Sequence, residues 1–584
     1  MKLSDYIVQW LSDKGIRDFY GYQGTMIAHF VDSISKNVNV KNHSCYNEQG
    51  AAFAACGHAV TSDSCSVAYA TSGPGAINLV SGIANAYYDS IPVIFITGQI
   101  NTYEYRRDLP DLRQNAFQET KIVEMSKVVT KYAVQILEPE MIRYELEKAY
   151  HIAMSGRRGP VLLDIPMNIQ RADIEPDNLL SFEPVKDEVK ADIDVIWNAL
   201  KVAVNSSERP VLLLGNGIRK KDYHIFLKFS EVLRIPVVTS LLAKGCVPAT
   251  YELNFGYLGG AYGHRAANLI TSLQSDQLIA VGISLCTRQT GVNTNNFAKQ
   301  ARILRYDIDP EELKRKINDN ETSFIIDTST LANLLVQKFD QWNTWKKSDE
   351  HWISYCKEYK KISSEYDNNL EVRYPNKVID AFNTYIKPQD IIVSDVGQHM
   401  MWVAQSIKNP ASQPMLFSGG HGAMGFALPA SIGAYMASAN SSVFCFCGDG
   451  AFQMNIQELQ WLLREQCNVV IIVLNNKSLG LITQQQDAYF DRKHYGADYP
   501  DFTSPKFADI AKAYGIKSVS IHDIGKIPWA MSQKPEKGPF LIEFIFDIET
   551  YALPKTRLGQ PIFDQEPKLP DEIFEKYINN VYWR

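Results

Sequence analysis

Apolar runs of strand length alternate with helical stretches along most of the chain. These runs are almost continuously apolar rather than alternating, which is typical of parallel strands that are covered on both faces. The pattern therefore predicts an α/β protein with mainly parallel sheets. The strands that it predicts most clearly are 91–98, 160–166, 210–217, 235–240, 277–285, 301–309, 390–397, 442–450, 468–476 and 538–547.

Two stretches rich in polar, charged or proline residues interrupt this pattern, at 171–192 and 341–375. Such a composition is typical of linkers between compact units. At about 150 residues per domain, a chain of 584 residues has room for roughly three to four units. We therefore predict three doubly wound domains, an N-terminal domain at 1–172, a central domain at 190–342 and a third domain at 372–556, followed by a C-terminal tail at 557–584.

Composition and charge narrow the class of protein. The net charge of −6 argues against a nucleic acid partner. The first residues carry Asp5 and Asp13 and lack a basic segment followed by an apolar core, so we expect no secretory signal. No apolar run approaches the roughly 18 residues of a membrane span. Nine cysteines without a C-x-x-C pair fit buried thiols in a reducing compartment, and we expect a cytoplasmic protein that does not bind a membrane.

One strand end carries the first sign of chemistry. The apolar strand at 442–447 ends in the turn Gly448-Asp449-Gly450 and continues through Ala451 into a helical pattern. In open parallel sheets, ligands bind at the carboxyl ends of the strands, and helix N-termini present free amides to phosphate. Glycines here let the backbone approach a diphosphate group, so we predict that Gly448, Gly450 and Ala451 contact one.

Asp449 is predicted to bind a metal ion at the same strand end. A hard cation such as Mg2+ prefers oxygen ligands. Asn476 follows Asp449 by 27 positions, at the end of the next strand, and offers an amide oxygen, while Ser478 offers a backbone carbonyl. Each turn alone is more often an ordinary strand-end turn. Their placement on successive strands favours a site for magnesium and a diphosphate.

Longer motifs surround these residues, and through them the chain resembles the acetolactate synthase group of thiamine-diphosphate enzymes. In the third domain the matching motifs are Asp395-Val-Gly-Gln-His399, Ser418-Gly-Gly420, Met424-Gly-Phe-Ala-Leu-Pro429 and Gly448-Asp-Gly-Ala-Phe-Gln-Met-Asn-Ile-Gln-Glu-Leu459. In the first domain they are Asn47-Glu-Gln-Gly-Ala-Ala52, Ala70-Thr-Ser-Gly-Pro-Gly-Ala76, Ile96-Thr-Gly-Gln99, Ala116-Phe-Gln-Glu119 and Gly159-Pro-Val-Leu-Leu-Asp-Ile-Pro166. The segment after about Tyr551 departs from typical synthases and is similar to the ends of synthase-like proteins of surface-polysaccharide sugar pathways.

The resemblance implies positions for the cofactor, thiamine diphosphate. Gln398 and His399 would hold its diphosphate, and Met424 would be the hydrophobic wedge that bends it. The Gly422 carbonyl would accept a hydrogen bond from its amino group, and Gly73 would line the site from the first domain. Without its motif, His399 would be better explained as a structural histidine.

Glu48 is implied to be the catalytic glutamate. Without the resemblance, a carboxylate in the first turn of a helix is explained by the helix dipole, which is worth about 0.3–1 kcal/mol. With it, Glu48 would hydrogen-bond the aminopyrimidine ring of the cofactor and promote proton removal from the thiazolium carbon. The implied reaction is decarboxylation of a 2-keto acid and ligation of the remaining two-carbon unit to a second carbonyl compound. Phe117 and Gln118 would line the donor cavity, with core packing as the alternative for Phe117.

In the resembling family the glutamate and the metal ligands come from different subunits. About 400 residues separate Glu48 from Asp449 in this chain. A two-fold symmetric dimer would bring them together and would contain two equivalent sites. We therefore expect a homodimer or homotetramer with active sites at the subunit interface.

The departures from the family bear on the acceptor. Met167 stands where the synthases have a lysine, and Gln485 stands where they have a tryptophan, so the acceptor pocket is expected to be wider and more polar. Gln23 lies in a first-domain loop that also differs, whereas Arg288 aligns with an arginine used near acceptor and flavin. We expect pyruvate as the donor and a large acceptor such as a keto sugar nucleotide, with plain acetolactate synthesis from a second 2-keto acid as the alternative.

A flavin is the second cofactor that the resemblance implies, since these synthases bind FAD in the middle domain without using its redox chemistry. Local support is limited to the turn Gly215-Asn-Gly217, and a lone G-x-G is most often a tight strand-to-helix turn. Two further alternatives are a flavin-linked pyruvate oxidase and a catalytically inactive relative. Retention of Glu48, Asp449 and Asn476 together argues against the inactive relative.

Overall fold

The computed structural model describes residues 1–106, 108–109, 111–184, 192–412, 414–438, 441–557 and 559–579. These residues form three six-stranded sheets, one after another along the chain, and each sheet is entirely parallel. Every one of the ten strands predicted from the apolar runs overlaps a strand of these sheets. The α/β fold class with three parallel-sheet domains is confirmed.

The first sheet has the strand order β2-β1-β3-β4-β6-β5. Its strands are β1 Asp18–Gly21, β2 Lys41–Ser44, β3 Ser66–Ala70, β4 Val93–Gln99, β5 Tyr132–Gln135 and β6 Val161–Pro166. The helices of this domain are α1 Leu3–Asp13, α2 Ala28–Lys36, α3 Glu48–Ser62, α4 Pro74–Tyr88, α5 Ile122–Ser126, α6 Ile142–Met154 and α7 Met167–Gln170. The inner strands are fully buried, as the continuous apolar runs require.

The second sheet has the order β12-β11-β10-β7-β8-β9. Its strands are β7 Pro210–Leu214, β8 Val237–Thr239, β9 Asn254–Tyr257, β10 Gln277–Val281, β11 Arg302–Asp307 and β12 Glu321–Ile325. The helices around it are α8 Ile193–Asn205, α9 Tyr223–Leu233, α10 Arg265–Leu269, α11 Thr287–Thr290, α12 Pro310–Lys314, α13 Thr328–Gln337, α14 Phe339–Trp342 and α15 Glu350–Asn369.

The third sheet has the order β14-β13-β15-β16-β18-β17, the same winding as the first. Its strands are β13 Ile391–Ser394, β14 Met415–Phe417, β15 Val443–Gly448, β16 Val469–Asn475, β17 Lys517–Ile521 and β18 Phe540–Ile545. The helices are α16 Tyr374–Phe382, α17 Gln398–Ser406, α18 Ala427–Ala437, α19 Asp449–Gln453, α20 Leu459–Arg464, α21 Gly480–Tyr489, α22 Phe507–Ala513 and α23 Ile527–Ser532.

The interpretation of 341–375 as a linker is wrong for most of its length. Residues Glu350–Asn369 form α15, a helix of 20 residues. Its buried residues Trp352, Cys356 and Tyr359 recur at helical spacing and pack into the core of the central domain. The charged residues between them lie on the other face, so average polarity concealed the apolar stripe. Of the other predicted linker, 171–192, residues 185–191 lie outside the described residues.

The end of the chain folds back onto the central domain. It contains the antiparallel pair β19 Lys555–Thr556 and β20 Gln565–Glu566, followed by α24 Asp571–Phe574. Ile562 and Tyr577 are buried in the central core. The buried Arg265 guanidinium donates to the carbonyls of Gln565 at 3.2 Å and Pro567 at 2.6 Å. These contacts fix the position of the C-terminal segment against the second sheet.

Two small-residue helices join the first and third domains. A Cβ on Gly57 of α3 would collide with the carbonyl oxygen of Ala430 in α18, and a Cβ on Gly433 would collide with that of Ala54. Glycine is therefore required at both positions. The resulting close approach makes the two domains one core, which brings the loops of both sheets together.

The structure bears on two of the expectations about compartment, the buried thiols and the lack of a membrane span. Eight of the nine cysteines are buried and none is in a disulfide, and Cys286 is half-buried. Within the described ranges, no helix combines the length and apolar character needed to cross a bilayer.

Candidate functional site

The predicted metal ligands lie side by side at one edge of the third sheet. Asp449 begins α19 directly after β15, and Asn476 and Ser478 follow the neighbouring parallel strand β16. The Asp449 carboxylate accepts hydrogen bonds from the Ser504 hydroxyl at 2.6 Å and from the Gly450 amide at 2.9 Å. Burial raises the pKa of Asp449 to about 6. A desolvated carboxylate of this kind is stabilised in its charged form by a bound cation.

A network of amides orients Asn476. Its Nδ2 donates to Thr550 Oγ1 at 2.8 Å and to Gln398 Oε1 at 3.3 Å. Gln398 in turn donates through Nε2 to Gln484 Oε1 at 3.0 Å and to the Thr550 carbonyl at 2.8 Å. Since the amide nitrogen of Asn476 is held by these acceptors, its oxygen faces away from them. The polar atoms of Gln398 are all engaged within the protein, so its contact with a diphosphate stays a prediction.

The donor set around Asp449 consists of oxygen atoms, which favours a hard cation over zinc or copper. In the parts of the chain that the structure describes, no three His, Cys, Asp or Glu side chains cluster as metal ligands. Asp449, the Asn476 amide and the Ser478 carbonyl would thus supply a single negative charge. That donor set suits Mg2+, which is usually held by one or two carboxylates together with water and substrate phosphates.

His399 lies against the backbone of the same turn. A Cβ on Gly448 would lie 2.7 Å from His399 Nδ1, which places the imidazole directly beside the Gly448 strand end. His399 Nε2 is buried and has no hydrogen-bond partner in the described structure. Burial lowers the pKa of His399 to about 3, so the ring is neutral. A buried ring nitrogen without a partner at a sheet edge fits a polar group of a ligand.

The loop with Gly422 and Met424 reaches this turn from the other side. A Cβ on Gly450 would lie 3.5 Å from Met424 Cε, so the methionine side chain covers the Gly450 end of the turn. Gly422 has φ +71° and open space where a side chain would be. The structure therefore brings the predicted residues Met424, Gly448, Asp449 and Gly450 together around one space.

Two buried aspartates hold this loop, and the motif analysis assigned no role to either. The amides of Gly425 and Ala427 donate to Asp395 at 2.9 and 2.8 Å. Asp89, at the end of α4 in the first domain, accepts from the amides of Gly419 and Gly420 at 3.2 and 2.7 Å. Burial raises the pKa of Asp395 to about 6 and that of Asp89 to about 7.

The sequence signals for these two aspartates differ. Asp395 follows an apolar strand in the same way as Asp449, which is a usable signal. Asp89 gives none, because its partners lie about 330 positions away in sequence. Only the fold shows that the first domain supports the loop at 419–427 of the third domain.

Glu48 is placed at the start of α3, at the carboxyl edge of the first sheet. Its side chain is 7% exposed, and its Oε2 accepts a hydrogen bond from Asn78 Nδ2 at 3.0 Å. A Cβ on Gly75 would lie 2.9 Å from Oε1, so little space remains on that side of the carboxylate. These contacts fix the carboxylate within the first domain.

The third domain clamps the start of α3. Glu458 is fully buried and accepts hydrogen bonds from the amides of Tyr46 at 3.1 Å and Asn47 at 3.0 Å. Asn455 Nδ2 donates to Gln49 Oε1 at 3.1 Å and to the Gly425 carbonyl at 2.9 Å. These side chains position the segment that carries Glu48. Sequence reasoning missed this role, although both lie inside a quoted motif.

The other residues predicted in the first domain lie at the same edge of the first sheet, but they do not all pack together. Gln118 has φ +64° and packs on Gly73, where a Cβ would lie 2.9 Å from Gln118 Cβ. Phe117 is 78% exposed in the single chain. Met167, at the end of β6, is half-buried, and Gln23, after β1, is exposed.

A cavity of about 1040 Å³ is lined by residues of all three domains and of the C-terminal segment. Arg288, after β10, and Gln485, on α21, both line it, so the structure unites these two predicted acceptor residues. Met167 and Gln23 lie outside its lining. Arg288 Nη1 donates to the Gly419 carbonyl at 3.3 Å, which links the cavity to the loop at 419–427.

The turn Gly215-Asn-Gly217 lies at the other end of this cavity. A Cβ on Gly215 would collide with the carbonyl oxygen of Gly282, so this glycine is explained by the close approach of two strand ends. Arg219, which lines the same part of the cavity, has a buried Nη1 without a hydrogen-bond partner in the described structure. An unpaired guanidinium nitrogen suits an anionic ligand.

Comparison with protein families matches all three domains. Three family models of thiamine pyrophosphate enzymes match the chain. The N-terminal TPP binding domain matches residues 1–125, the central domain matches 198–334 and the C-terminal TPP binding domain matches 395–544.

Curated relatives match over nearly the full chain. The acetolactate synthase large subunit of Lactococcus lactis is 33% identical over 560 residues, which cover 95% of this chain and 94% of that protein. The acetolactate synthase isozyme 2 large subunit of Escherichia coli is 33% identical, covering 94% and 96%. The chloroplastic acetolactate synthase 1 of Zea mays is 34% identical, covering 96% and 87%.

Proposed function

The chain belongs to the thiamine pyrophosphate enzymes as an acetolactate-synthase-like carboligase, and from that premise we propose that it decarboxylates pyruvate and ligates the two-carbon unit to a large carbonyl acceptor. The observation that carries the cofactor site is the meeting of Asp449, Asn476 and the unpaired His399 nitrogen at adjacent strand ends. Thiamine diphosphate supplies there, when bound, a nucleophilic carbon and a ring that accepts the electrons released with carbon dioxide.

The residues of the third domain bind the charged end of the cofactor. Asp449, Asn476 and the Ser478 carbonyl would hold Mg2+, and His399 Nε2 would donate a hydrogen bond to a diphosphate oxygen. The network around Gln398 keeps the Asn476 oxygen aimed at the metal. Because these groups are fixed by the protein before the ligand binds, little ordering is needed on binding.

Glu48 supplies the carboxyl group that would act on the aminopyrimidine ring of the cofactor. Its carboxylate is nearly excluded from water and is positioned by Asn78 and by the clamp of Asn455 and Glu458. A carboxyl group in this place can exchange a proton with the aminopyrimidine ring. Met424 and the loop held by Asp89 and Asp395 line the third-domain part of the site.

We propose that the acceptor is larger than a second 2-keto acid, because Gln485 lines a cavity of about 1040 Å³. The amide of Gln485 is exposed on the cavity wall, where an indole would fill space. Acetolactate synthesis is the second candidate, supported by the similarity to acetolactate synthases.

Product analysis separates these two functions. With pyruvate alone we expect carbon dioxide and only slow acetolactate formation, and a keto sugar nucleotide should raise the ligation rate by about tenfold or more. Mass spectrometry of the products is the measurement. The variant Gln485→Trp is expected to shift the products toward acetolactate. Rapid acetolactate production by the unmodified protein, at about 1 s⁻¹ or faster, would defeat the large-acceptor proposal.

We also propose that FAD occupies the central end of the cavity, without a redox role. The cavity volume and the unpaired Arg219 nitrogen support this. We expect the purified protein to show flavin absorption bands and Arg219→Met to lower FAD affinity about tenfold. Lys221→Met, an exposed neighbour outside the cavity lining, is the control. Protein that shows no flavin band and does not bind added FAD would exclude this proposal.

A further inference from the structure

The C-terminal segment supplies one wall of the cavity. Thr556 N donates to the Ala261 carbonyl at 2.7 Å, and Ile562 packs against Gly291 in the central core. Residues Lys555, Thr556, Arg557, Gly559 and Gln560 all line the cavity. The wall is built from the part of the sequence that departs from typical synthases.

Two cations on this part of the cavity lack a carboxylate partner. Lys555 makes no ion pair with any residue that the structure describes, and the same is true of Arg288, whose recorded hydrogen bond goes to the Gly419 carbonyl. Arg557 differs, because Asp564 at 3.2 Å and Glu566 at 3.7 Å neutralise it. Lys555 therefore presents a positive charge without a salt-bridge partner among the described residues. Arg288 presents a second one, close enough to the buried Asp89 to offset part of the rise that burial causes in the pKa of that carboxyl.

These cations lie next to the helix face that carries Gln485. Ile482, Gln485 and Tyr489 are spaced by about one turn on α21 and line the same cavity. The segment 260–262 joins Arg288 to the wall, since Gly260 N donates to the Arg288 carbonyl at 2.6 Å. Ala261, the neighbour of Tyr262, is bonded to Thr556 of the wall.

We propose that Lys555 and Arg288 form a subsite for a phosphate or diphosphate ester on the acceptor. This inference rests on the proposed carboligation with a large acceptor and names the chemistry that the acceptor carries. A lysine is a point-charge binder of phosphate, and an arginine can donate two parallel hydrogen bonds to it. Positive charges on one part of a cavity wall attract a ligand of opposite sign.

A diphosphate group bound at this subsite could belong to the acceptor or to a dinucleotide cofactor. Both carry a diphosphate, and both would fit a cavity of about 1040 Å³. Gln484 and Ala552 are joined by hydrogen bonds of 2.9 and 3.1 Å, so the segment that leads to Lys555 contacts the helix that carries Gln485, and this favours the acceptor. The experiment must therefore follow both ligands.

The test compares Lys555→Gln with Lys568→Gln in the holoenzyme loaded with thiamine diphosphate, Mg2+ and FAD. Lys568 is an exposed lysine of the same C-terminal segment and lies outside the cavity lining. Uridine, cytidine and guanosine diphosphates are each titrated by calorimetry. We expect at least one to bind the unmodified protein and the Lys568→Gln control, with affinity reduced roughly tenfold in Lys555→Gln.

Steady-state rates supply a second readout. For a keto sugar nucleotide acceptor, Lys555→Gln should raise KM roughly tenfold with kcat largely retained. Failure of all three nucleotides to bind, or equal binding by both variants, would overturn the subsite. Loss of FAD from Lys555→Gln with unchanged nucleotide binding would assign the cation to the cofactor instead. Absence of carbon dioxide release from pyruvate in the unmodified protein would refute the proposed function itself, which is a separate outcome.

Discussion

Replacing Glu48 with glutamine is expected to lower the turnover number by about 10² to 10⁴-fold, while thiamine diphosphate still binds. Glutamine preserves the size and a hydrogen-bonding oxygen of the side chain, so the contact with Asn78 can persist. It cannot exchange a proton with the aminopyrimidine ring. The loss should therefore appear in the rate of the chemical step and not in the affinity for the cofactor.

Two measurements check this expectation. Cofactor affinity is obtained by titration with Mg2+ present, and the first half-reaction is followed by carbon dioxide release from pyruvate. Glu140→Gln, at an exposed glutamate of the same domain, controls for the loss of one negative charge. An unaltered rate in Glu48→Gln would remove the glutamate from the mechanism.

The apolar pattern predicted every inner strand of the second and third sheets, only β4 and β6 among the inner strands of the first sheet, and none of the edge strands. The inner strands β15 and β16 are buried at every position, so their apolar runs are unmistakable. The edge strand β2 reads Lys-Asn-His-Ser, and β12 is only partly buried. Their pairing comes from the neighbouring strand and not from their own side chains.

The candidate site divides in the same way. Asp449, Asn476 and Met424 are local to motifs and meet at one strand edge, so the motifs predicted their neighbourhood. The support from Asp89 and the clamp by Glu458 join residues more than 300 positions apart. No local signal reports such contacts, because they depend on how the first and third domains pack.

Replacing Asp449 with asparagine is expected to abolish stabilisation by Mg2+ and thiamine diphosphate and to leave the protein without cofactors at least as stable at pH 8. Burial holds the pKa of Asp449 in the folded protein at about 6, above the 3.8 of an ordinary aspartate. The ionised carboxylate is therefore disfavoured in the folded state. The free-energy cost of the buried charge is absent below about pH 3.8, where the carboxyl group is protonated in both the folded and the unfolded state. It reaches its full value above about pH 6, where the group is ionised in both.

The two values differ by about two pH units, which corresponds to about 3 kcal/mol. Asparagine carries no charge to desolvate, so the variant avoids this cost. The gain in stability is reduced by any weakening of the hydrogen bond from Ser504. Thermal unfolding with and without Mg2+ and the cofactor measures both effects, with Asp509→Asn, at an exposed aspartate, as the control. A normal cofactor-dependent rise in melting temperature would rule Asp449 out as a metal ligand.

The two inactive variants together test where the active site is assembled. If Glu48 and Asp449 of one site come from different subunits, a hybrid dimer of Glu48→Gln and Asp449→Asn chains has one doubly altered site and one site with both residues intact. Co-expression with random pairing makes about half of the dimers hybrid, so roughly a quarter of the normal activity should return. If both residues served a site within one chain, every site would carry a substitution and activity would stay near zero. The recovered fraction therefore distinguishes an interface site from a single-chain site without a structure of the oligomer.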